Sequence, residues 1–123
     1  MEGRETVKMN STERIGKLRG YGADIAGIAE RFMDDYAFYG ICLEQFVRDV
    51  NFDALGQALE NRDFQAAFEA AHSLKGVAAN LGLTPSYAAI NKVVMALRME
   101  SYEGARTGYR EIIARLDEIR ALV

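Results

Sequence analysis

At 123 residues, half of them hydrophobic and 27% charged, the chain has the size of one domain and can bury a core without disulfide or metal staples. Fifteen basic against eighteen acidic residues leave a net charge of −3, the wrong sign for gripping a phosphate backbone, so nucleic acid is not expected as a partner. One histidine and one cysteine cannot build a zinc site of the usual kind, no G-x-x-x-x-G-K-[ST] loop is present, and Gly20-Tyr21-Gly22 is too short for a dinucleotide fingerprint.

A single proline, no tryptophan and an abundance of Ala, Leu, Glu and Arg favour an all-α fold. Residues 1–22 are polar and lack an apolar repeat, so they read as a flexible leader in which Arg14, Lys17 and Arg19 are solvated. Residues 23–123 read as the helical domain. Asp24 can cap a short helix carrying Ile25, Ile28 and Phe32 at helical spacing. Asp34 or Asp35 can cap the next, where Tyr36, Tyr39, Leu43, Phe46 and Val50 form an apolar stripe. The stripe slips phase at Leu55 and Leu59, but no Gly-Pro break intervenes, and one long helix to about Asn61 is expected. The aromatic residues Tyr36, Phe38, Tyr39 and Phe46 read as core, and Cys42, between Ile41 and Leu43, as a buried thiol in a reducing cytoplasm.

Asn61-Arg62-Asp63 supplies a turn and a cap for a third segment with Ala67, Ala71, Leu74, Ala78 and Leu81 on one face, ended by Gly82. Thr84-Pro85 starts a fourth, with threonine as the cap and Tyr87, Ile90, Val94 and Leu97 as its stripe. The last, about Glu103 to Leu122, aligns Tyr109, Ile112, Leu116, Ile119 and Val123, and spaces Glu111 and Arg115 as an exposed pair. Four long segments with short connections predict an up-down-up-down antiparallel four-helix bundle, with the short extra N-terminal helix over one end. The stripes are used up within one bundle, which predicts a monomer. No apolar run reaches the roughly 18 residues that span a bilayer, and the opening M-E-G-R-E-T-V-K lacks the apolar block of a signal peptide. The initial Met favours a free-standing protein over a piece of a larger one.

The only histidine, His72, falls on the third segment. At about 100° per residue, it points roughly 140° away from the mean direction of the apolar stripe. Gln65, Phe68, Glu69, Lys75, Gly76 and Ala79 share its face. Glycine one turn beyond His72 costs a helix about 1 kcal/mol against alanine, which is explained if another molecule must approach the imidazole closely. Lys75, three residues on, can stand beside an anion attached to the ring, and Phe68 offers an aromatic anchor for a protein contact. An imidazole is largely neutral near pH 7, so its lone pair can attack phosphorus without a dedicated base. Since no nucleotide site is evident, the phosphoryl donor would be a partner that already carries the group.

The run A-A-H-S-L-K-G-V-A-A-N-L-G-L, Ala70 to Leu83, resembles the signature of histidine-containing phosphotransfer (HPt) domains of multistep two-component phosphorelays, and the helical order from about Asp24 to Val123 resembles their bundle. The resemblance implies that His72 accepts a phosphoryl group from an aspartyl phosphate of one receiver domain and passes it to another, as an intermediate rather than a kinase. It also implies that Lys75 steadies the phosphate and Gly76 admits the receiver, with Phe68, Gln65, Glu69 and Ala79 around the docking surface. Partners would be response-regulator receiver domains and a hybrid sensor histidine kinase. Magnesium would belong to the receiver, so the chain itself needs no cofactor and no metal. In one departure, many members carry Gln or Glu about 22 residues after the histidine, where this chain has Val94, with Asn91 one turn earlier. The alternative is a non-phosphorylated helical adaptor that binds a receiver or kinase domain; a hydrolase role for His72 would need an enclosed pocket with a second polar catalyst.

Overall fold

The computed structural model describes residues 11–123, so the first ten residues of the expected leader lie outside the described residues. Among the described residues every regular element is an α-helix: α1 (Ser11–Tyr21), α2 (Ile25–Arg31), α3 (Tyr36–Val47), α4 (Asn51–Glu60), α5 (Phe64–Asn80), α6 (Thr84–Arg98) and α7 (Tyr102–Arg120). Their starts follow from side chains that satisfy amides the helix leaves open. Asp24 accepts from the Gly27 amide, Asp35 from Phe38, Asp63 from Ala66 and Ser101 from Gly104, all at 3.0–3.1 Å.

Helices α4, α5, α6 and α7 close a ring in which each packs on the next and α7 returns to α4. The predicted stripes fill its interior: Ala67, Ala71, Leu74 and Ala78 of α5, Ile90 and Val94 of α6, and Ile112, Leu116 and Ile119 of α7 are all buried. Helices pack closely where side chains are absent. A Cβ on Gly108 would stand 2.6 Å from Cγ2 of Val93, so the glycine is what allows α7 to lie against α6 at that point.

Helices α1 to α3 attach to this ring at one end of α5. The Asp24 amide donates to the Gly82 carbonyl at 2.8 Å. Arg31 Nε donates to the Asn80 carbonyl at 2.9 Å and the Tyr39 hydroxyl to the Leu81 carbonyl at 2.6 Å. Three successive carbonyls at the C-terminal end of α5, which the helix itself cannot use, are thereby satisfied.

Several expectations are corrected. Residues 11–21 are not a loose leader but helix α1, with Leu18 fully buried and Arg14 tucked against Gly40 and paired with Glu44 at 3.5 Å. Too few apolar residues mark α1 for a stripe to show; Leu18 and the stem of Arg14 are buried, and Ile15 and Tyr21 pack against the core beside them. The long second helix is two, α3 and α4, because the Asp49 carboxylate accepts from the Asn51 amide at 2.8 Å and starts a new helix, a local bond that competes with helix continuation. Val50, expected in the stripe, is 78% exposed at this break. Phe38 is exposed rather than core, Val123 is exposed, and Cys42 is only half-buried. Thr84 is the first residue of α6 and makes no capping bond; the cap position belongs to Leu83. Glu111 pairs with Lys92 of α6 at 3.7 Å and Arg115 with Glu118 at 3.1 Å, instead of with each other. Among the described residues no helix is long and apolar enough to cross a membrane.

Candidate functional site

Helix α5 carries the site. Arg62, with φ 55°, and the Asp63 cap set its start, and Gly82, with φ 66°, turns the chain after its end. Such left-handed backbone is where glycine is least strained. Alanines at 67, 70, 71 and 78, together with Leu74, face the interior and are buried, while His72, Ser73 and Gly76 are exposed. His72 therefore stands in mid-helix on backbone held by regular hydrogen bonds, with its ring on the outward side.

One turn before it, Phe68 is half-buried, and its ring lies parallel to the imidazole, with centroids 5.7 Å apart and planes 10° from each other. The guanidinium of Arg98, from the last turn of α6, stands over the Phe68 ring at 5.6 Å. Lys75 is half-buried, and its Nζ lies 5.9 Å from the centroid of Tyr87, near the start of α6. Lys75, three residues beyond His72, and Arg98, over the ring one turn before it, thus each rest on an aromatic face. Among the described residues neither Lys75 nor Arg98 is ion-paired with a carboxylate.

At Gly76 an added Cβ would meet nothing within 4 Å. No packing among the described residues requires glycine here, in contrast to Gly108, so the helix gives up about 1 kcal/mol of propensity with no return from them. Gln65 and Glu69 are exposed on the same side, with the Gln65 amide 3.5 Å from the Glu69 carboxylate, and Ala79 is exposed beyond Gly76. Val94 is fully buried and offers this surface no polar group; Asn91 is half-buried.

Three contributors escaped the sequence reading. Arg98 and Tyr87 come from α6, and their approach to Phe68 and Lys75 depends on how α6 packs on α5. Asn51 Nδ2 donates to Ser73 Oγ at 3.3 Å, tying the start of α4 beside the histidine. Spacing along one helix registers neither. A groove of about 480 Å³ between α4 and α7, lined by Asp53, Glu60, Arg106, Tyr109 and Arg110 among others, does not include His72. Among the described residues no group of three His, Cys, Asp or Glu side chains could hold a metal ion.

The family model for the Hpt domain matches residues 43–122 of this chain, from within α3 to just past α7. No curated protein and no solved structure matches it.

Proposed function

Because the chain belongs to the Hpt domain family, whose role is phosphotransfer in two-component signalling, we propose that it relays a phosphoryl group between aspartates of receiver domains through phospho-His72. The observation that carries this reading is an exposed histidine inside the matched span, one turn from a glycine that no packing among the described residues requires.

In the transfer, the lone pair of one imidazole nitrogen attacks the phosphorus of an aspartyl phosphate. A P–N bond forms, the P–O bond breaks, and the aspartate carboxylate leaves with the electron pair while the other ring nitrogen keeps its proton. Passage to a second receiver reverses these events. Such chemistry needs alignment and charge compensation more than covalent help. Lys75 supplies charge beside the bound phosphoryl group. Gly76 leaves room for the edge of the receiver, and Gln65, Phe68, Glu69 and Ala79 border the contact. Magnesium is held by the receiver, and the chain contributes no cofactor. A hybrid sensor histidine kinase is the upstream source. We read the bundle as up-down-up-down antiparallel, and the protein as a monomer of the reducing cytoplasm.

The test is incubation of the chain with a phosphorylated receiver. A relay gains an acid-labile, base-stable phosphoramidate on His72. Stable binding of the receiver without transfer would establish the adaptor reading in its place.

A further inference from the structure

An exposed histidine on a helix has a broad second torsion, so its ring plane is not fixed by the backbone. Here a neighbouring ring lies parallel to that plane. Residues four apart on a helix project in the same direction, and the Phe68 ring uses that placement to lie parallel to the imidazole, the two planes 10° apart. Rotation of the imidazole about its second torsion would break this alignment. Phe68 is itself restrained, being half-buried and packed against the core, and the Arg98 guanidinium from α6 rests on its ring.

Stacking also differs from the usual means of orienting a histidine, which is a hydrogen bond to one ring nitrogen. Among the described residues no group hydrogen-bonds either nitrogen of His72. The face of the ring is engaged and its edge, where the attacking nitrogen lies, is left open. Arg98 rests over the Phe68 ring and is in no ion pair among the described residues.

We propose that Phe68 is a positioning residue for His72 and that Arg98, from the adjacent helix, holds Phe68 in place. The inference rests on His72 being the phosphoryl acceptor, and it gives Phe68 a task separate from docking: limiting the imidazole to orientations in which a nitrogen faces the incoming phosphorus.

Potassium phosphoramidate separates the two tasks, because so small a donor needs no docking surface. With it, the imidazole forms the P–N bond while the donor's own P–N bond breaks and ammonia leaves with the electron pair. The rate of phosphohistidine formation is measured on the full chain by phosphorus NMR, with circular dichroism confirming that each variant is helical. Phe68→Ala and Phe68→Leu are expected to slow the reaction about threefold to fivefold, as for release of one restrained torsion. Phe68→Tyr is expected to match the unaltered chain. Arg98→Ala is expected to slow it about twofold, and Arg98→Lys to restore it. An unaltered rate in Phe68→Leu, with loss confined to transfer from a receiver, would overturn the proposal and leave Phe68 a docking residue. Failure of the unaltered chain to form phosphohistidine at residue 72 would overturn the acceptor reading, and this proposal with it.

Discussion

The hydroxyl of Tyr39 donates to the carbonyl of Leu81 at 2.6 Å within the core, joining α3 to the end of the helix that carries His72. Burial raises the Tyr39 pKa well above its ordinary value of 10.0. A raised folded-state pKa means that the neutral phenol is favoured by folding. Its contribution is complete below the unfolded value and is lost as pH climbs from about 10 toward the folded value. Urea unfolding is expected to show stability falling above about pH 10. Tyr39→Phe should lose about 1–2 kcal/mol at pH 7, because the Leu81 carbonyl is left unpaired, and should flatten part of the alkaline decline. Tyr21 and Tyr109, also raised by burial, account for the slope that persists.

His72→Gln is expected to abolish phosphoryl acceptance. The side chain is exposed, so the unfolding free energy from urea titration should change by no more than about 0.5 kcal/mol. A larger loss of stability would mean that the imidazole is structural.

Lys75→Ala is expected to slow receiver-dependent transfer, or to shorten the lifetime of the phosphorylated form, by about threefold to tenfold, since a charge-assisted contact to the anion is lost at a partly solvated site. The decay of radiolabelled phosphoprotein measures the lifetime directly. Kinetics equal to those of the unaltered chain would take Lys75 out of the mechanism.

Alanine scanning of two helical glycines should give opposite signs. Gly76→Ala meets open space and should stabilise the chain by about 0.5–1 kcal/mol. Gly108→Ala drives a methyl group toward Val93 and should destabilise it by about 1–3 kcal/mol despite the better propensity. Gly76→Leu should also retain stability while blocking transfer from a receiver but not from phosphoramidate. Normal receiver transfer in Gly76→Leu would defeat the access argument.

What was legible in the sequence is what a helix writes along its own length. Helix α5 was readable from end to end, because its Asp63 cap, its buried Ala67, Ala71, Leu74 and Ala78, and its terminal Gly82 are all local features, and the outward direction of His72 followed from the same periodicity. The features that escaped depend on contacts between segments distant in the chain. Leu18 is the one fully buried apolar side chain of α1, and its burial needs the rest of the fold. The break before Asn51 turns on one carboxylate bond, and a phase slip in the stripe was its only trace. Arg98 reaches the site because α6 lies against α5. A pattern along one helix tells which side is covered but not by whom.

The carbonyls of Asn80, Leu81 and Gly82 receive their donors from Arg31, Tyr39 and Asp24, all of which precede residue 43, where the family match begins. The part of the chain that defines the family therefore borrows its closure from a part that does not. A fragment trimmed to the recognisable span would lose one donor at each of these three carbonyls at the foot of the histidine's own helix, with Gly82 keeping only the Thr84 amide at 3.0 Å. The upstream helices act as a clasp, and anything that loosened them would reach His72 through the helix it stands on.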